Sequence, residues 1–357
     1  MKITSTSQPY HLPQLDGLRG IAITLVTLGH LASFSLHRWV AVANAFAQLG
    51  VLLFFVLSGF LITTLVTAEK QKNDSVNLAS FYSRRILRLA PAFLAFMAAV
   101  ICLMFMNLIP RIPGYEIAAC FLYMRNIFGR NEAVAHLWSL SLEEQFYIAW
   151  PPLVKLLAPN RLIIISISGT VILCVWRAVA MSMHLFDYNM GIYYMRPYFR
   201  FDSILIGCCL ALCLRYRPLA SEQFQSMFKR IPTALIWGLV CVWTLIGQTL
   251  SSPMYITVQM LGVTWLLFRA ISAETSGILT ASPLKFLGKL SYSLYLWQQI
   301  FLVTTFQQWG IVGKFPFNVI TCFIIALVSY FGVERPFLKL KTRWQPRIAT
   351  LATAEAP

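Results

Sequence analysis

The sequence predicts an all-α fold: a polytopic transmembrane helical bundle of about ten spans, with both termini in the cytosol. Three observations carry that prediction. The chain is 58% hydrophobic and only 12% charged, against about 25% charged residues in an ordinary soluble domain, so it cannot cover a water-facing surface. The mean hydropathy is +0.67, and the apolar residues come in long blocks rather than the alternating runs of a β-barrel. In lipid, helices are then the way to satisfy the backbone. The basic residues, finally, gather in clusters between the blocks.

Taken in order, apolar blocks of single-crossing length lie near 18–36, 45–68, 90–110, 139–157, 162–182, 199–214, 231–249, 253–271, 286–308 and 315–333. A further segment near 115–124 (YEIAACFLYM) is too short for a span and reads as a re-entrant or surface helix. With that segment left out and the N-terminus in the cytosol, 21 of the 29 Lys and Arg residues face inwards, as the positive-inside rule demands. Counting it as a span would reverse every cluster from Lys155 up to the tail. Residues 1–340 form one membrane-embedded domain and 341–357 a short basic tail. The polar N-terminal stretch does not resemble a secretory leader, and no soluble domain is expected.

The net charge of +16 is therefore a topology signal rather than a nucleic-acid footprint. The eight cysteines fall in apolar stretches with no CxxC or Cys/His ligand spacing, which indicates small buried side chains and no metal site. The partners implied are membrane lipids and no nucleic acid.

Ionisable residues inside spans are expensive and mark function. Arg19 and His30 share the first span. Eleven residues is about three turns, so they face nearly the same way roughly 16 Å apart, with His30 in the outer half. Glu143 and Glu144 enter the fourth span in HLWSLSLEEQFYIAWP. Helix-dipole stabilisation accounts for one acid at most. By the topology they lie at about the depth of His30, so a His–carboxylate dyad is expected, in which the imidazole takes a proton from a hydroxyl. Arg84, Arg85 and Arg88 stand at the cytosolic mouth of the third span in FYSRRILRLAP; they are either positive-inside anchors or, since guanidinium groups bind phosphates bidentately, a phosphate site. The layout points to a cytosolic phosphorylated donor reaching an acceptor across the bilayer. Lesser candidates are Ser58 as a nucleophile or packing residue, Arg177 paired with Asp187 or Asp202 or else snorkelling outward, and Arg196, Arg200 and Asp202 as sugar contacts or ion pairs. The aromatic run Tyr292, Tyr295 and Trp297 reads as an interfacial belt.

The blocks LDGLRGIAITLVTLGH, VLLFFVLSGFLIT, FYSRRILRLAP, HLWSLSLEEQFYIAWP, YFRFDSILIG, LGKLSYSLYLW and VERPF, in this order along nearly the whole chain, resemble the acyltransferase-3 family of membrane O-acyltransferases, which includes O-antigen and exopolysaccharide O-acetyltransferases. The family's arginine and histidine with ten residues between them fall on Arg19 and His30, its arginine-x-x-arginine pair on Arg85 and Arg88, and its glutamates on Glu143 and Glu144. The resemblance implies transfer of an acyl group, usually acetyl from acetyl-CoA, to a hydroxyl of a glycan or lipid-linked saccharide. It also implies a multi-pass protein of the bacterial inner membrane with no permanently bound cofactor. Arg19, Arg84, Arg85 and Arg88 would hold the donor, and His30, with Glu144 or Glu143, would be catalytic. Many members have a histidine where this chain has Gln298, which bears on donor or acceptor choice. Some carry a fused extracytoplasmic esterase-like domain, not expected here. The rival reading is a proton-coupled transporter or exporter, against which no paired Gly/Pro-interrupted spans occur in two matching halves.

Overall fold

The computed structural model describes residues 12–35, 40–185, 195–217, 223, 231–249, 254–272, 277–302 and 309–343. Among them there is no strand, and a helix stands at each of the ten expected positions. These are α1 (Pro13–Ser35), α2 (Val40–Asn73), α3 (Leu78–Phe105), α5 (Leu137–Leu156), α6 (Pro159–Ser182), α7 (Pro197–Tyr216), α8 (Thr233–Thr249), α9 (Tyr255–Ser272), α10 (Ser282–Leu302) and α11 (Phe317–Ser329). The short segment is α4 (Gly114–Phe121); its length of about 12 Å cannot span a hydrocarbon core of about 30 Å. A π-helical turn, Tyr330–Glu334, links α11 to the basic helix α12 (Arg335–Arg343).

Six of the described helices are long and apolar enough to cross a bilayer: α2, α3, α6, α7, α9 and the continuous Phe317–Leu340. Helix α8 is apolar but shorter. Helices α1, α5 and α10 fall outside the set, and they are the ones that carry Arg19 and His30, Glu143 and Glu144, and Gln298 and Gln299. The molecule is inside-out relative to a soluble protein. On α6, Ile164, Val171, Ile172 and Val175 are exposed while Arg177 on the same helix is completely buried. Apolar surface on this scale requires a lipid or protein partner.

Neighbouring helices follow the order α6, α7, α2, α1, α10, α11, with the α8–α9 hairpin and α5 against α2. Small residues set the closest crossings, as membrane helices require when no hydrophobic drive pulls them together. A Cβ on Gly288 of α10 would meet the Asp16 carbonyl oxygen at 1.9 Å, and one on Gly50 of α2 the Ala22 oxygen at 2.6 Å. Helix α1 is thereby clamped between α2 and α10. The α2–α7 crossing is as tight: a Cβ on Gly207 would lie 2.1 Å from the Val56 oxygen. Gly207→Val is expected to force these helices apart and to lower stability by about 1–3 kcal/mol, read as a fall in the unfolding midpoint in detergent.

The Arg177 guanidinium pairs with Asp202 at 2.7 Å, both side chains 0% exposed, and also donates to the Phe199 carbonyl and to Thr257. This ties α6, α7 and α9 together, and of the two partners expected for Arg177 it is Asp202 that is used; Asp187 lies outside the described residues. Arg196 donates to the Ile127 carbonyl.

One boundary differs markedly. Helix α3 begins at Leu78, with the Asn77 side chain capping the Ser80 N–H, about three turns before the expected 90. The cap and the polar first turns are legible as a helix start, but a hydropathy window passes over them. As a result Arg84, Arg85 and Arg88 lie within α3 itself.

Candidate active site

Helices α3 and α5 are joined by long polar side chains. Arg85 meets Glu144 with Nε 2.9 and 3.0 Å from the two carboxylate oxygens and Nη2 2.5 Å from Oε1, and its guanidinium lies 3.5 Å above the Tyr147 ring. Glu144 sits two turns into α5, beyond the reach of the helix dipole, so Arg85 is what neutralises it. Glu143, the next residue round the helix, faces α2 instead. The Ser58 hydroxyl lies within hydrogen-bonding reach of both Glu143 and Tyr147.

Arg19 lies within electrostatic range of Glu143, Tyr147 and Arg88 and reaches Asp16 only at 3.5 Å. Arg88 makes no ion pair or hydrogen bond among the described residues; the buried Glu334 of the π turn, held by Ser293 Oγ at 2.8 Å, is its nearest charge complement. Arg84 pairs with Glu69 at 3.1 Å and contacts Ser80, which fastens α3 to the end of α2. Of the four arginines expected to hold a donor, then, Arg84 and Arg85 are consumed by carboxylates, while Arg19 and Arg88 stand together with cationic charge to spare.

About three turns along α1, His30 Nδ1 lies 2.7 Å from Oε1 of Gln298 on α10. Neither glutamate touches the imidazole, so the expected His–carboxylate dyad is not formed. The reason is lateral as well as vertical. Helix α1 packs on α2 and α10, whereas α5 packs on α2, α6 and α7. The residue of this stretch within electrostatic range of His30 is His136, which caps the start of α5, and Glu143 lies seven residues further along, about 10 Å.

His136 went unnoticed in the sequence because it precedes the apolar block, although it opens the HLWSLSLEEQFYIAWP stretch. It is 4% exposed, has the Leu296 backbone as its hydrogen-bonding neighbour, and is within electrostatic range of His30. Its ring stands edge-on to Phe96 and Tyr295, centroids 5.4 and 5.3 Å apart. Tyr295 is no belt residue: its hydroxyl contacts Ser139 and the His136 carbonyl, and it lies within electrostatic range of Glu143. Tyr292 likewise points inwards, donating to the Leu89 carbonyl. A polar column thus runs through the bundle from Arg88 and Arg19, past Glu143, Ser139 and Tyr295, to His136 and His30. Among the described residues, no group of three or more His, Cys, Asp and Glu side chains is placed to hold a metal ion.

The family model described as an acyltransferase domain matches residues 12–333, a span that contains the whole of this column. The chain belongs to the acyltransferase-3 family. Bacterial relatives extend the likeness. YrhL of Bacillus subtilis is 31% identical over 369 residues, covering 93% of this chain and 55% of that protein. The peptidoglycan O-acetyltransferase OatA of Listeria monocytogenes is 29% identical over 376 residues, covering 95% of this chain and 58% of OatA. The O-acetyltransferase OatA of Staphylococcus aureus is 29% identical over 369 residues, with 93% and 58% covered. This acyltransferase-3 chain therefore spans 55% to 58% of the length of these relatives. No solved structure matches it.

Proposed function

We propose that this chain is an integral membrane O-acyltransferase that moves an acyl group, in the first instance acetyl, from cytosolic acyl-CoA to a hydroxyl of a glycan or lipid-linked saccharide outside. Family membership and the names of its relatives support acyl transfer to a carbohydrate, peptidoglycan being the acceptor those names suggest. The observation that carries the mechanism is the column itself, with His30 and His136 at one end and, at the other, the guanidinium groups of Arg88 and of Arg19, whose one ion pair is the 3.5 Å contact with Asp16. In our reading all ten long helices cross the bacterial inner membrane and both termini are cytosolic. The inward bias of the basic residues supports this, and it puts Arg19 and Arg88 at the cytosolic face.

Arg88 and Arg19 hold the donor phosphates, guanidinium to phosphate, and the pantetheine arm lies along the column. His30 Nε2 takes the proton of the acceptor hydroxyl as its oxygen attacks the thioester carbonyl. The tetrahedral adduct collapses with cleavage of the C–S bond, and the departing thiolate receives the proton from His30, giving ester and free CoA thiol. Such general base catalysis supplies about 10²–10⁴-fold; alignment of thioester and hydroxyl supplies the rest. Glu144 positions Arg85, and Glu143 with Ser58 lines the passage.

Purified protein supplied with acetyl-CoA and a peptidoglycan fragment is expected to release free thiol in step with ester formation. Movement of saccharide across a vesicle membrane without thiol release would replace this reading with the transporter, for which the family assignment offers no support.

A further inference from the structure

Gln298 is 0% exposed, and its two amide atoms are treated differently. Oε1 is 2.7 Å from His30 Nδ1, whereas the amide nitrogen is buried with no hydrogen-bond partner. The first contact has a chemical consequence. An amide oxygen only accepts, so the ring nitrogen facing it carries the proton, and in a neutral imidazole the lone pair is then left on Nε2. That is the tautomer a base aimed away from α10 requires.

The second atom is an anomaly until something is bound. A buried amide N–H left unpaired costs about 1–3 kcal/mol, and folded chains rarely leave such a group without a partner. Because the planar amide is held through its oxygen, its nitrogen is fixed beside the imidazole, with two hydrogens to donate. The natural acceptor there is an oxygen of whatever molecule His30 deprotonates. The donor's phosphates are held three turns away by the arginines, and the molecule that His30 deprotonates is the hydroxyl-bearing acceptor. Helix α10 is itself immobilised at this level: Gln299 Nε2 donates to the Glu132 carbonyl at 2.7 Å, and Tyr295 binds the start of α5.

We propose that Gln298 positions His30 through Oε1 and grips the saccharide acceptor through its amide nitrogen. It is a positioning residue for the base and a contact for the acceptor at once. This rests on His30 acting as the base, and the two claims separate by experiment.

Purified Gln298→Leu, Gln298→Glu and His30→Ala proteins are compared with the parent for kcat, donor KM and acceptor KM, each normalised to folded protein by size-exclusion profile. Gln298→Leu loses both functions. It is expected to lower kcat about tenfold to a hundredfold and to raise acceptor KM about tenfold, sizes set by one or two lost hydrogen bonds, with donor KM within twofold. Gln298→Glu keeps an oxygen for Nδ1–H but has no amide nitrogen. It is expected to recover most of kcat while acceptor KM stays raised. If both variants match the parent, or both lose kcat equally with acceptor KM unchanged, the inference fails. If His30→Ala retains activity, the base assignment itself fails, whatever the Gln298 variants do.

Discussion

His30→Ala is expected to cut acyl transfer by about 10²–10⁴-fold, with normal amounts of protein in the membrane. An imidazole can take and return a proton near neutral pH by its ordinary chemistry, and of the two histidines at that end of the column His30 is the one that Gln298 orients. Removing the ring also strips Gln298 Oε1 of its donor in a buried site, a separate structural cost of about 1–3 kcal/mol. His30→Asn is the control for that cost, since its amide N–H can still donate to Gln298 while providing no base. Ester formation measured by mass spectrometry, alongside membrane abundance, separates the two effects. An alanine variant that transfers at the parent rate would remove His30 from the chemistry.

The second large effect concerns Arg85 and Arg88, which the sequence presents as equivalent. Arg85→Met would leave Glu144 enclosed without its cation. Breaking a buried pair on one side costs about 3–5 kcal/mol; here the side chains keep 20% and 13% exposure, so the lower end of that range is expected. The double variant Arg85→Met with Glu144→Leu should regain much of the loss, because no charge is then stranded. Arg88→Met, by contrast, strands no hydrogen-bonded carboxylate. It is expected to leave the unfolding midpoint nearly unchanged and to raise donor KM by about 10- to 100-fold, the size of a charge-assisted contact to phosphate. Thermal unfolding in detergent and donor saturation curves measure the two quantities on the same preparations. If Arg85→Met were as stable as the parent and raised donor KM as Arg88→Met does, the division of labour between the two arginines would be refuted.

Much of the candidate site is legible from single residues. Arg19, His30 and the two acids stand out because lipid makes every ionisable group conspicuous, and each does lie on the polar interior. What one-dimensional reading mispairs are the partners. The depth of a residue along its helix follows from counting 1.5 Å rises, and even this set Glu143 too close to the level of His30, since the true start of α5 is at Leu137. Which helix stands beside which does not follow from counting at all. His136 and Gln298 went unrecognised as neighbours of His30 for that reason: nothing in their own stretches points to α1.

Composition and block length alone determined that the chain is helical and belongs in a membrane, because backbone groups in hydrocarbon have no water to bind. Alignment of its motifs determined the family. Only the tertiary structure decided that the carboxylates serve arginines and that an amide serves the histidine. Hydrophobic pattern specifies where a helix turns its polar face, but partners across a bundle are chosen by how closely helices approach, and here glycines at Gly50 and Gly288 press α1 between α2 and α10 and away from α5.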